Sequence, residues 1–317
     1  MNFFQIISEI EKVDPEVYGR LDSRRRVFKN MMGLGKNLSA AVLPLAVGAI
    51  FNKAYAQTPA GAGVNDVLNF ALKLEYLESY FYQQRTAVTG LSTVNTAALN
   101  LIATDEANHV KFLQGAIGTG FFPDPTAAAY DFSGGKGSNM GPFADWRTNP
   151  ATYLALAQSF EDTGVRAYKG GAPLLISNKT VLTAALNIHS VEARHASHLR
   201  EMRRAMVNSA TPSQAVPASP YSAAPKSWIS GTDNGGAAPM YTAPIYGAGN
   251  NTNAPTGVTF QAEDFVNFSA SMAAATFPAA ANFPASAFTE AFDEGLDVGT
   301  VSTIAKGFVV TGNTMFG

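Results

Sequence analysis

Cysteine is absent from the 317 residues. That absence excludes disulfides, thiolate-bound zinc, iron–sulfur clusters, covalent haem attachment and a lipid-modified cysteine anchor. A metal held by this chain must use oxygen and nitrogen ligands. Histidine is nearly as scarce, with only His109, His189, His195 and His198, all in two short segments. Charge of either sign is thin and balanced. The 22 Lys and Arg against 24 Asp and Glu give a formal net charge of -2, which leaves no basic stripe for nucleic acid and no acidic tail. Nucleic acid is not an expected partner. An uninterrupted membrane-length apolar run is missing too, since Lys36, Pro44 and Gly48 break the stretch from Met31 to Phe51. What is present is a 46% hydrophobic content, enough for a sizeable core in a chain of this length.

The first 56 residues read as an address. Ser23-Arg24-Arg25-Arg26-Val27-Phe28-Lys29 resembles a twin-arginine export pattern, and a weakly polar stretch follows it. Ala54-Tyr55-Ala56 then supplies a small-x-small site, which predicts cleavage before Gln57. Residues 1–56 are accordingly expected to be a twin-arginine-type signal peptide, with the export machinery as a partner. The competing reading is a helical arm carrying a chance arginine cluster. Cleavage would leave a mildly acidic protein without a membrane span, in the periplasm or outside the cell. Export after folding suits a protein that collects its metal in the cytoplasm.

Residues 57–207 carry four stretches of helical periodicity. The first begins at Asn65 as a cap, places Leu68, Ala71, Leu72 and Tyr82 on a stripe with Glu75 and Glu78, and ends near Gly90. The second spans about 96–115, with Leu99, Ile102, Glu106, His109 and Leu113 in register. The third covers about 151–169, with Leu154, Ala157, Glu161, Val165 and Tyr168, and Gly170-Gly171 with Pro173 should stop it. The fourth covers about 179–207, with Ala185, Ile188, Glu192, His195 and Leu199. Between the second and third, residues 115–150 are rich in Gly, Pro and Asp; so long a connection calls for a topological reason, and a bundle crossover is one. Residues 208–317 form a Pro/Gly-rich extension. Short helices are expected at 261–275 and 286–296, with Phe265, Phe268 and Met272 as a packing face. The extension either wraps the bundle or meets a partner.

Two segments read Glu-x-x-His: Glu106 with His109, and Glu192 with His195. On a helix, residues three apart share a face, so each pair aims a carboxylate and an imidazole at one point. A single such pair is common by chance. Here the preceding helices join in: Glu75 lies 31 residues before Glu106, and Glu161 lies 31 before Glu192. The whole set repeats at an offset of 86 residues, taking Glu75 to Glu161, Tyr82 to Tyr168, Glu106 to Glu192 and His109 to His195. This is the trace of two equivalent helical hairpins about a pseudo-two-fold axis. Buried carboxylates on apolar stripes need protons or cations to offset them. The six residues are therefore the candidate ligands of two metal ions.

The segments Phe70-Ala71-Leu72-Lys73-Leu74-Glu75-Tyr76-Leu77-Glu78, Asp105-Glu106-Ala107-Asn108-His109, Phe160 to Tyr168 and Glu192-Ala193-Arg194-His195 resemble the ferritin-like superfamily, and within it the ferritin-like domain family that includes desiccation-related proteins. The resemblance covers about residues 60–207. It implies an all-α four-helix bundle with a long crossover between the second and third helices. It also implies a di-iron or di-manganese carboxylate site, two ions per chain with zinc permitted. In that site each metal takes one histidine, Glu75 and Glu161 are terminal, and Glu106 and Glu192 bridge. It does not imply one reaction, because relatives oxidise iron, disproportionate peroxide, oxygenate substrates or have no established activity.

Glu78 has Gly164 as its counterpart, so the repeat breaks there; it reads either as a seventh ligand or as a hydrogen-bonding or solvent-facing group. Tyr82 and Tyr168 read as packing and hydrogen-bonding partners of the site carboxylates, with radical chemistry as the alternative. Asp105 either orients His109 or is an exposed helix residue. His189 and His198 either approach the second motif or lie near the surface. The long crossover and extension disfavour a hollow storage cage, leaving a monomer or small homo-oligomer. Function is then either redox activity toward oxygen or peroxide, or a non-enzymatic stress or envelope scaffold that retains the bundle.

Overall fold

The computed structural model describes residues 63–208, 239–252, 254, 258–263, 265 and 294–317. The expected signal segment and its cleavage site lie outside these residues. The described chain is helical, and its one β feature among the described residues is an isolated bridge between Tyr130 and Val309.

Helix α1 spans Val64–Gln83 and runs on into a 3₁₀ turn at Gln84–Ala87. Its cap is Gly63 rather than Asn65: the Asp66 carboxylate accepts the Gly63 N–H at 2.8 Å, which places an acidic group in the first turn. Helix α2 spans Thr93–Ile117 and starts three residues earlier than its apolar stripe suggests, because the Ser92 hydroxyl accepts the Asn95 N–H at 3.1 Å. Helix α3 spans Pro150–Gly171, with Asn149 as cap and Pro150 in the first position, where a missing N–H does no harm. Helix α4 spans Lys179–Asn208.

α1 packs along α2 and α3 along α4, and the two hairpins meet through α1 against α3 and α2 against α4. The residues named on the four stripes are buried. At one end an aromatic cluster joins the halves: Phe81 of α1 stacks on Tyr153 of α3 with centroids 4.6 Å apart and meets Phe160 edge-on.

The connection from α2 to α3 is a folded cover. Asp131 accepts from the Ser133 hydroxyl and from the backbone N–H groups of Ser133, Gly137 and Asn139, so one buried carboxylate organises the loop. The crossover also pairs with the C-terminal segment, where Asp131 N–H donates to the Phe308 carbonyl at 2.8 Å and Val310 N–H to Ala129 at 3.0 Å.

In the extension the helices fall elsewhere than expected. Helix α5 is Pro239–Tyr246, with Pro244 inside it, and helix α6 is Val298–Lys306, capped by Asp297. Residues 294–297 are non-helical and Phe265 is exposed, while Phe268 and Met272 lie outside the described residues. Both α5 and α6 pack on α3, so the described parts of the extension do wrap the bundle. As a result every residue of α3 from Pro150 to Arg166 is buried.

Arg166 is the fastening. Its guanidinium, fully buried, donates to the carbonyls of Ile245, Gly247, Gln261, Glu294 and Gly295 and pairs with Glu263 at 2.6 Å. Gly170 assists by close approach, since a Cβ there would sit 1.9 Å from the Leu296 carbonyl oxygen. The two glycines thus do not end α3, which continues through Gly171 into the 3₁₀ turn Ala172–Leu175 that contains Pro173. Among the described residues no helix is long and apolar enough to cross a membrane.

Candidate metal centre

Glu75 sits on α1, Glu106 and His109 on α2, Glu161 on α3, and Glu192 and His195 on α4. All six are buried, the four glutamates completely. The structure brings them together in two groups of four. Glu75, Glu106, His109 and Glu192 form one; Glu106, Glu161, Glu192 and His195 form the other, and in each the donor atoms lie within 4.8 Å of one another. Glu106 and Glu192 belong to both.

The distances obey the 86-residue repeat. His109 Nδ1 lies 3.2 Å from Glu75 Oε2, 3.2 Å from Glu106 Oε2 and 3.1 Å from Glu192 Oε1. His195 Nδ1 lies 3.2 Å from Glu161 Oε2, 3.0 Å from Glu106 Oε1 and 3.8 Å from Glu192 Oε2. The Tyr82 hydroxyl donates to Glu161, and the Tyr168 hydroxyl donates to Glu75. Each tyrosine therefore crosses from its own helix to the glutamate of the equivalent one.

Hydrogen bonds do not explain this arrangement. One ring nitrogen carries at most one proton, yet each Nδ1 is surrounded by three carboxylates. Glu75 Oε2, Glu106 Oε1 and both oxygens of Glu192 are buried and form no hydrogen bond. Four such acceptors in one place are costly unless something positive lies between them. Donor atoms about 2.1 Å from one octahedral ion lie about 3.0 Å from each other. The donor set therefore has both the chemistry and the spacing of a carboxylate and imidazole coordination site for hard or borderline divalent ions.

Without an ion the residues share protons. Burial pushes Glu75 and Glu161 well above the usual carboxylate range; Glu192 adds to this at Glu75 and Glu106 at Glu161, while the histidines work against it. Burial would also raise Glu192, but His109 and His195 outweigh it and hold that carboxylate low. Burial lowers both imidazoles, and the carboxylates around them overcome it and raise them strongly.

Asp105 meets His195 rather than His109: its Oδ2 lies 3.2 Å from His195 Nε2. A carboxylate on the far ring nitrogen fixes the tautomer and orientation of an imidazole. The position 86 residues on from Asp105 is Val191, so the aid is given to one histidine only. His189 stays out of the centre, with Nδ1 2.9 Å from the Val165 carbonyl oxygen. Glu78 is buried beside the centre and makes no hydrogen bond or ion pair among the described residues. Burial, then Glu192, push its carboxyl well up.

A second polar cluster went unassigned in the sequence. Asp162 forms a two-pronged pair with Arg200 at 2.6 and 2.7 Å, accepts from the Tyr246 hydroxyl at 2.7 Å and from Gln158 at 3.2 Å, and Gln158 in turn accepts from Arg203. The available signal was the pair of charges, Asp162 and Arg166, inside an otherwise apolar stretch of α3.

Fold and centre together define a ferritin-like four-helix bundle with buried carboxylate and histidine clusters able to hold metal ions. Residues 63–205, the stretch that builds α1 to α4, match the model of the ferritin-like domain family. No curated protein and no solved structure matches the chain.

Proposed function

We propose that this is an exported metalloprotein whose ferritin-like bundle binds two iron or manganese ions and reacts with dioxygen or peroxide. The observation that carries the reading is the pair of imidazole nitrogens, each facing three carboxylate oxygens of which two form no hydrogen bond. His109 with Glu75 would hold one ion, His195 with Glu161 the other, and Glu106 and Glu192 would bridge. Iron or manganese supplies one-electron redox change at the pair; zinc fits the same donors without it.

The chain's own residues prepare that centre. Tyr82 and Tyr168 hold Glu161 and Glu75 in position from across the bundle. Asp105 steadies His195. Complete burial keeps bulk water from the four carboxylates. The arginine run at residues 24–26 and the Ala54-Tyr55-Ala56 site support delivery to the periplasm or beyond through the twin-arginine pathway. Likeness to desiccation-related proteins supports a role in stress.

Metal analysis of protein purified from its native compartment tests the reading, with anomalous diffraction at the iron and manganese edges to identify the ions. About two ions per chain are expected, falling to none in Glu106→Ala, which removes a bridging ligand common to both positions. A metal-free native protein would refute it.

A further inference from the structure

Helix α3 carries two stripes that meet different parts of the chain. Glu161 and Tyr168 lie on the first and face the centre: Glu161 is a candidate ligand beside His195, and the Tyr168 hydroxyl donates to Glu75 of the other group. Asp162, Arg166 and Gly170, at successive spacings of four, lie on the second, about 100° round the helix, and meet the extension. The stretch from Glu161 to Tyr168 therefore serves both groups of donors on one side and is held by the extension on the next.

Three contacts make this hold, all of them buried. The Asp162 carboxylate pairs with Arg200 of α4 at 2.6 and 2.7 Å, and the Tyr246 hydroxyl of α5 donates to the same carboxylate at 2.7 Å. Arg200 lies on α4 beyond Glu192 and His195, so one carboxylate joins both ligand-bearing helices of the second half to the extension. One turn on, Arg166 pairs with Glu263 at 2.6 Å and donates to the Gln261 carbonyl at 2.7 Å. Between them Val165 packs on Ile245 and Tyr246 in an apolar cluster separate from the main core. The extension lies beyond residues 63–205, which match the ferritin-like family model, so these contacts are an addition to the bundle.

We propose that the extension is a lock on the metal centre: its docking on α3 and the binding of ions favour one another, so undocking speeds release of the ions. This rests on the metal reading above and adds its regulation. Two helical turns form a stiff unit, so a shift of the stripe under the extension moves the stripe that faces the centre. Undocking takes the Tyr246 hydroxyl from Asp162 and the Glu263 carboxylate from Arg166, and α3 is then held by α4 and the core alone. Glu161 loses its fixed place as a donor, and Tyr168 its fixed place behind Glu75, so both positions weaken together. The coupling is reciprocal. An ion that fixes Glu161, and Glu75 with Tyr168, also fixes the surface on which the extension docks. Asp162, Arg166 and Tyr246 act as positioning residues, since none of them faces the ions.

The test uses the full chain loaded with manganous ion. Release is timed after mixing with excess chelator in wild type, Tyr246→Phe and Glu263→Gln. Both substitutions lie in the extension and leave every candidate ligand, and the tyrosines behind them, in place. Tyr246→Phe removes one hydroxyl and guards against a folding defect. Each variant is expected to keep the wild-type ion stoichiometry and to release the ions about fivefold faster or more. In wild type, limited proteolysis within residues 239–252 is expected to be about fivefold slower or more with ions bound than after chelation. Cuts in α1 to α4 serve as the measure of bundle unfolding. Release at the wild-type rate in both variants, or equal cutting of residues 239–252 with and without ions, would overturn this inference and leave the metal reading standing. A wild-type chain that takes up neither manganous nor ferrous ion would overturn both.

Discussion

At the residue scale the centre is a set of exchanges. The glutamate of each half is held by the tyrosine of the other, and each imidazole nitrogen faces two glutamates of its own half and one of the other. Tyr82→Phe and Tyr168→Phe should therefore behave alike. Each leaves a buried carboxylate oxygen without its donor, and loss of such an outer partner typically costs about 10–100-fold in metal affinity, read by competition with a chelator. Asp105→Ala should instead act on the His195 position only. The repeat itself was legible because ligand residues must keep a fixed place on a fixed helix, so spacing survives as an arithmetic offset. The partner of Asp105 was not, because spacing on α2 says nothing of how far α4 is rotated toward it. Away from the centre Asp131 offers a pH test. Burial tends to raise this carboxyl, but four donors outweigh it and hold it below the ordinary 3.8. A group whose native value is depressed stabilises the fold fully above its unfolded value and loses that contribution as pH falls through the native one. Asp131→Asn should cost about 2 kcal/mol near pH 7, since charged hydrogen bonds contribute about 1.5–3 kcal/mol each way. The difference from wild type should shrink below pH ~4, measured by denaturant unfolding across pH.

Among the elements, α1 and α3 are equivalent in register but carry different covers. On α1, Tyr76 donates to the Phe122 carbonyl and accepts from Gln114, and Tyr80 donates to Asp124, which ties down the crossover. Eighty-six residues on, the same positions hold Asp162, Arg200 and Arg166, which tie down the extension. Equivalent places thus fasten different chain segments, by hydroxyls on one side and by ion pairs on the other. That substitution explains why the helices were readable and their wrappings were not. A buried arginine serving five carbonyls is set by segments 80 to 130 residues away, beyond any local pattern. Helix α5 was hidden for a related reason: Pro244 argues against a helix locally, whereas Arg166 and Asp162 hold its end through Ile245 and Tyr246. Helix α6 did carry a local signal, since Asp297 accepts the Thr300 N–H at 2.9 Å in an ordinary cap. Arg166→Met removes the guanidinium paired with buried Glu263 at 2.6 Å, and breaking a buried pair costs about 3–5 kcal/mol. That loss should fall on the described parts of the extension, so limited proteolysis should cut within residues 239–252 or 294–297 in the variant long before it cuts α1 to α4. Equal protection in variant and wild type would show that Arg166 does not fasten the extension. Gly170→Ala should give the same pattern by steric displacement of Leu296.

On the scale of the whole molecule, the buried centre carries an electrostatic cost that a bound ion would offset. Four completely buried glutamates and two histidines occupy places that leucine or alanine would fill at no electrostatic cost, and unpaired groups of this kind are destabilising. Without metal, burial and the neighbouring charges raise Glu75 and Glu161, lower Glu192 and raise both imidazoles. An ion would replace those protons, which would link metal binding to folding, and metal affinity should decline on acidification because the same donors must be stripped of protons to bind. The linkage has a predictable size. A ligand at about 100 times its dissociation constant stabilises a fold by about 2.7 kcal/mol per site. For a folded unit of about 150–250 residues each kcal/mol moves the midpoint by about 2–4 °C. One saturated site should therefore raise the thermal midpoint by about 5–10 °C and two sites by about twice that, measured by calorimetry on chelator-treated protein before and after adding ferrous or manganous ion. The His109 and His195 positions should fill unequally, because Asp105 supports only the latter. Glu106→Ala, lacking a ligand of both positions, should show no metal-dependent shift; a shift equal to wild type in that variant would mean the ions bind elsewhere.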